Sequence, residues 1–80
     1  MKLTVYWRQH CPACRELLYY LERKGVPYEG LDVTHDAEHF AQMMRLGGFA
    51  TPYMVLDGQP ITYFDPEKLD VLLSQNNGDG

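Results

Sequence analysis

The 80-residue chain has only two cysteines, too few for the disulfide scaffolds that hold many small secreted domains together. It has no Lys/Arg run and no basic helix face, and 7 basic against 11 acidic residues leave a net charge of −4. A nucleic-acid partner is therefore not expected. No apolar stretch approaches the ~20 residues of a membrane span, and Lys2 is followed by mixed polar and apolar residues rather than a signal-type apolar run. No membrane role is expected, and the expected setting is the reducing cytoplasm. In that setting a lone cysteine pair is redox-active or metal-binding rather than a permanent staple. Internal repeats and linkers are also lacking. A hydrophobic fraction of 45% with 22% charged residues is ordinary globular composition. Length and composition predict one domain over residues 1–74, monomeric, with 75–80 a polar, flexible tail.

The hydrophobic pattern predicts the order β-α-β-α-β-β-α. Leu3 to Trp7, β-branched and aromatic, form a buried strand. A helix follows from Pro12 to Lys24, with Leu17, Leu18 and Leu21 on one face and Gly25 as its stop. Val26 to Val33 form a second strand whose alternation slips at Gly30, which predicts a bulge. A second helix runs from Asp36 to Leu46, capped by Thr34 or Asp36, with Phe40, Met43 and Met44 inward and Gly47-Gly48 ending it. Tyr53 to Leu56 and Gln59 to Thr62 flank Asp57-Gly58, a pair suited to a tight hairpin turn. Pro60 lacks a ladder donor and marks an edge strand. Asp65-Pro66 opens a third helix with Leu69, Leu72 and Leu73 as its buried stripe. Two strands joined through a helix lie parallel, so the pattern yields an α/β, four-stranded mixed sheet flanked by three helices.

The chemistry sits at Cys11-Pro12-Ala13-Cys14. Cys11 falls at or just before the helix N-cap and Cys14 in the first turn. Unpaired N–H groups and the positive helix end favour a thiolate at Cys11, and Arg8, His10 and Arg15 add cationic character nearby. Side chains three apart on a helix have Cβ atoms about 5–6 Å apart, and a small contraction reaches the ~3.8 Å of a disulfide. Cys11 is thus the expected nucleophile and Cys14 the resolving thiol. Pro12 stiffens the loop, and Ala13 is small enough for a partner to approach. The same spacing also occurs in zinc sites. His35 and His39 are candidate further ligands, although 20 residues separate Cys14 from His35 against ~12–15 in a two-Cys, two-His finger. His10 either tunes Cys11 or is a loop histidine facing solvent. Trp7 either offers a contact surface or covers the strand end.

A strand ending in Tyr-Trp-Arg, then Cys-Pro-Ala-Cys, then an Xaa-Pro ahead of a hairpin resembles the glutaredoxin family over residues 2 to 74. The resemblance implies a thioredoxin-like fold and a thiol–disulfide oxidoreductase that acts as an electron carrier on protein or glutathione mixed disulfides. It implies a cis bond at Thr51-Pro52, where the Thr51 backbone would pair with an extended substrate. It places Arg8 at a basic position that meets the glutathione carboxylate, with Phe64 and Asp65 in the same substrate or glutathione region. Ala50-Thr51-Pro52 and Thr62 to Pro66 depart from the common glutathione-using pattern. Tyr6 to Arg8 and Phe64 to Pro66 instead resemble the redoxins that serve ribonucleotide reductase (the NrdH type), which generally lack the proline at Pro12. No bound cofactor is expected. Glutathione and thioredoxin reductase are the two expected electron donors, and disulfide-containing proteins the substrates. The alternative is a zinc- or [2Fe–2S]-binding module using the same cysteines.

Overall fold

The computed structural model describes residues 2–61 and 67–71. The order is β1 (Leu3–Trp7), α1 (Pro12–Arg23), β2 (Glu29–Asp32), α2 (Ala37–Arg45), β3 (Tyr53–Leu56) and β4 (Gln59–Ile61). Residues 67–71 are helical and form α3. The strands make one sheet in the order β2-β1-β3-β4. β1 and β2 are parallel, whereas β1–β3 and β3–β4 are antiparallel. The expected four-stranded mixed sheet with three helices is therefore present.

Alternation along the strands divides the core in two. Leu3 and Val5 of β1, with Met54 and Leu56 of β3, pack against Leu17 and Leu21 of α1 and Leu69 of α3. Tyr6 and Tyr53 point the other way and meet Val33 and Met43. Full burial of a leucine side chain contributes about 1.5–3 kcal/mol, so the α1 stripe is a main anchor of the element that carries both cysteines.

Both long helices end alike. In α1, the Gly25 N–H donates to Glu22 O at 3.1 Å and the Val26 N–H to Leu21 O at 2.9 Å. In α2, the Gly47 N–H donates to Met44 O at 3.0 Å and the Gly48 N–H to Met43 O at 2.9 Å. Gly25 and Gly47 take the left-handed position this closing motif requires, with φ of 69° and 97°.

The first of these motifs corrects the expected second strand, which is four residues long rather than Val26 to Val33. The Val26 N–H is committed to α1, and Pro27 has no N–H to offer. The expected bulge at Gly30 is also absent. β2 pairs one-to-one with β1, Gly30 opposite Val5, and the glycine instead gives room to Trp7. A Cβ on Gly30 would lie 3.3 Å from Trp7 Nε1. Trp7, half-buried, thus lies against Gly30 of β2.

In α2 the cap is Asp36, whose side chain accepts from the His39 N–H, and not Thr34. Of the three expected inward residues only Met43 is buried. Phe40 and Met44 are about two-fifths exposed, at 39% and 42%. The three share a helix face, but only Met43 reaches the core, where it packs with Tyr6, Val33 and Tyr53.

The hairpin forms as expected, with Asp57 and Gly58 at φ 50° and 85° and Pro60 on the edge strand β4. Thr62, Phe64, Asp65, Pro66, Leu72, Leu73 and the 75–80 tail lie outside the described residues. No helix among the described residues is long and apolar enough to cross a membrane.

Candidate active site

The turn after β1 sets the direction of α1. The Val33 N–H donates to Trp7 O at 2.9 Å, and the Gln9 N–H to Thr34 Oγ1 at 2.8 Å. Thr34 is in turn held by its own N–H on Asp32 Oδ1 at 2.7 Å. His10 then takes φ 58°, a left-handed conformation that histidine enters more readily than most residues. The chain comes out of this turn extended at Cys11, with φ −116° and ψ 102°, and helical from Pro12.

Cys11 is the N-cap of α1. Its carbonyl accepts the Arg15 N–H at 3.1 Å, and its Sγ accepts the Cys14 N–H at 3.2 Å. The sulfur therefore stands where a capping serine or aspartate oxygen usually stands. Pro12 occupies the first turn, where a missing N–H costs no hydrogen bond. Cys11 is half-buried, while Cys14 is 2% exposed on the inward face of the helix. Both are free thiols.

The second wall comes from the loop between α2 and β3. Gly48 is packed so tightly that a Cβ there would lie 2.7 Å from Tyr53 Cγ and 2.8 Å from Met43 Cγ. The Tyr53 hydroxyl donates to Leu46 O at 2.7 Å across the same loop. So held, the loop brings Thr51 over Cys11, and the Thr51-Pro52 bond is cis. The Cys11 thiol donates to Thr51 O at 3.9 Å, and the Thr51 hydroxyl donates to Cys11 Sγ at 3.7 Å.

The two sulfurs are electrostatically unlike. Partial burial works against the Cys11 thiolate, but hydrogen bonds from the Cys14 side chain and backbone, the Thr51 hydroxyl and the Ala13 backbone outweigh it and lower the Cys11 pKa. Burial pushes the Cys14 thiol up, and its hydrogen bond to Cys11 adds to that. The two shifts run in opposite directions, so Cys11 ionises more readily than Cys14. The main lowering influences on Cys11 are hydrogen-bond donors, which corrects the cationic account. Arg8, His10 and Arg15 are exposed, and Arg8 acts through its backbone, on Cys14.

The structure brings Cys11, Pro12, Ala13, Cys14, Thr51 and Pro52 together. It leaves Arg8 and His10 exposed on the preceding turn, and Phe64 and Asp65 lie outside the described residues. The histidines of the zinc reading do not reach the thiols. His35 Nδ1 pairs with Asp32 Oδ2 at 3.0 Å and His39 Nδ1 with Asp32 O at 3.1 Å. Among the described residues, no three His, Cys, Asp or Glu side chains converge as a metal site would require. The Thr51 hydroxyl was not legible as a sulfur partner. Its only sequence signal is an oxygen-bearing residue directly before the candidate cis proline, 40 positions from Cys11.

A family model described as Glutaredoxin matches residues 3–61. The gene 56 protein of Mycobacterium phage D29 is 30% identical over 73 residues, covering 89% of this chain and 81% of the phage protein. Among solved structures, the thioredoxin-like protein BC3987 is 33% identical, with a TM-score of 0.81, covering 89% of this chain and 99% of its own. The NrdH-redoxin from Escherichia coli aligns over 90% of this chain and 95% of its own with a TM-score of 0.77. At 22% identity that likeness speaks for the fold.

Proposed function

This chain belongs to the glutaredoxin family, and on that premise we propose that it reduces protein disulfides or glutathione mixed disulfides by dithiol exchange. The observation that carries this reading is the polarised pair, Cys11 at the N-cap with Cys14 buried one turn behind it.

In the first step the Cys11 thiolate attacks one sulfur of a substrate disulfide. A Cys11–substrate S–S bond forms, the substrate S–S bond breaks, and the first substrate thiolate leaves and takes a proton from solvent. Cys14 then loses its proton and attacks Cys11 Sγ. The mixed disulfide breaks, the second substrate thiolate leaves and is protonated, and the Cys11–Cys14 disulfide remains. The substrate has gained two electrons and two protons, and the dithiol has lost them. An extended substrate segment pairs with the Thr51 backbone, which lies beside the attacking sulfur.

Two further electrons, from glutathione or a thioredoxin reductase, return the pair to dithiol. The departure from the glutathione-using pattern ahead of the last helix, at Thr62 to Pro66, favours the reductase. Insulin or mixed-disulfide reduction, run with each donor in turn, tests both parts. Cys11→Ser is expected to lose all reductase activity, and Cys14→Ser to accumulate a protein–substrate mixed disulfide visible by mass spectrometry. An active Cys11→Ser protein would falsify the reading. Faster turnover with glutathione than with the reductase would reverse the donor assignment alone.

A further inference from the structure

Between the end of β1 at Trp7 and the N-cap at Cys11 the chain must turn out of the sheet through residues 8–10. The Val33 N–H still reaches Trp7 O, but the Gln9 N–H takes a side-chain oxygen, Thr34 Oγ1 at 2.8 Å, from 25 positions away. That oxygen is itself oriented. Asp32 Oδ1 accepts the Thr34 N–H at 2.7 Å in a short side-chain-to-backbone turn. The other oxygen, Asp32 Oδ2, pairs with His35 Nδ1 at 3.0 Å, and the Asp32 carbonyl pairs with His39 Nδ1 at 3.1 Å. We propose that Thr34, oriented by Asp32, is a positioning residue for Cys11: it holds the Gln9 backbone, and with it the left-handed turn at His10 that delivers the sulfur to the helix N-cap.

His10 lies between Gln9 and Cys11 at φ 58°. A residue other than glycine persists there only where its surroundings hold it. On the helix side the hold is the cap itself, with the Arg15 N–H on Cys11 O and the Cys14 N–H on Cys11 Sγ at 3.2 Å. On the strand side it is the Gln9–Thr34 bond. The cap depends on an extended Cys11 backbone, φ −116° and ψ 102°, so freedom gained at Gln9 is freedom for the sulfur to leave the Cys14 N–H. Gln9 and Thr34 are both exposed, and water replaces their bond at little cost to stability. What water does not replace is the direction of the turn. The charged groups on this turn and on the start of α1 are Arg8, His10 and Arg15, all exposed, and the facing loop over residues 47–52 carries none. A substitution at Thr34 alters no charge among them.

This role rests on the dithiol reading, but its test needs no substrate. Thr34→Val keeps the branched shape and removes the acceptor, while Thr34→Ser restores it. The pH dependence of iodoacetamide alkylation gives the Cys11 midpoint in the full chain, and calorimetry gives Tm on the same samples. Thr34→Val is expected to raise the midpoint by about half a pH unit, leaving roughly threefold less thiolate below it, and Thr34→Ser should match the wild type. Asp32→Ala should shift the midpoint in the same direction. The Asp32→Ala/Thr34→Val pair should go no further than Thr34→Val alone, because the two residues act in series. If Thr34→Val does not fold, as judged by circular dichroism, Thr34→Ala takes its place with the same expectation. An unmoved midpoint in the folded variant, whatever its Tm, would leave Thr34 a structural residue and overturn the proposal. Failure of Thr34→Ser to restore the midpoint, or additive shifts in the pair, would overturn it equally. A wild-type protein inactive on every disulfide would sink the dithiol reading instead, and the midpoints would stand apart from it.

Discussion

A sulfur at a helix N-cap can accept a backbone N–H, as Cys11 does from Cys14 at 3.2 Å, and there it also meets the positive end of the helix dipole. The foremost contribution lowering the Cys11 pKa is the hydrogen bond from the Cys14 side chain, set against the opposing effect of burial. The sign follows directly. A lowered pKa means thiolate at lower pH, so Cys11 should alkylate at a pH where an ordinary cysteine, with a pKa of about 8.5, is still mostly protonated. Cys14, pushed the other way, should stay unmodified there. Cys14→Ala removes the side-chain donor and is expected to raise the Cys11 midpoint, but not to the ordinary value, because the backbone and Thr51 donors remain. Cys14→Ser retains a donor and should hold the midpoint nearer the wild type. A pH series of alkylation rates on the three proteins checks this, and an unchanged midpoint in Cys14→Ala would return the explanation to the helix end alone. The Cys11–Cys14 chemistry was legible because spacing and helix position lie in one local stretch. The cations at Arg8, His10 and Arg15 misled because closeness in sequence does not say where a long side chain points.

Helix ends and turns were the elements most legible in the sequence, and for a physical reason. Pro12 at a first turn, Gly25 and Gly47 after a last one, and Asp57-Gly58 in a hairpin are each set by local backbone conformation. The extent of β2 and the inner face of α2 depend instead on what lies opposite. β2 begins only at Glu29 because the Val26 N–H is spent on α1. On α2 only Met43 meets Tyr6, Val33 and Tyr53, while Phe40 and Met44 stay exposed. Gly48 marks the tightest point between α2 and β3. Gly48→Ala would force a Cβ against Tyr53 and Met43, and overpacking of this kind costs about 1–3 kcal/mol. In a domain of this size each kcal/mol lowers Tm by about 4–8 °C. Gly25→Ala is the matched control. It meets nothing within 4 Å but must hold φ 69°, a strain of roughly 1–2 kcal/mol. Both variants should melt early by calorimetry. Only Gly48→Ala should also slow substrate reduction, since that loop carries Thr51 and Pro52 to the thiols.

Over the whole molecule, α1 joins stability to chemistry. Its inner face anchors the larger core through Leu17 and Leu21, and its first turn holds both cysteines. Its last turns are tied to α3, where the Tyr20 hydroxyl donates to Asp70 and Lys24 Nζ lies 3.6 Å from the same carboxylate. Burial first, and then the Asp70 carboxylate, push the Tyr20 hydroxyl up to about 12, so this bond keeps its proton throughout the working range. These anchors fix where the helix lies, whereas the Cys11 thiolate is held by groups within its own turn and by Thr51. The two roles should therefore separate under mutation. Leu17→Ala empties a fully buried site and is expected to cost about 2–5 kcal/mol. Against a total of roughly 0.05–0.15 kcal/mol per residue, that is a large share of the stability of an 80-residue chain. In the fraction that remains folded, however, the Cys11 alkylation midpoint should match the wild type. Denaturant unfolding and alkylation rates on the same sample read the two quantities independently. A midpoint that rose together with the loss of stability would show that the thiolate depends on core packing under α1, and not on its own turn and the cis-proline loop.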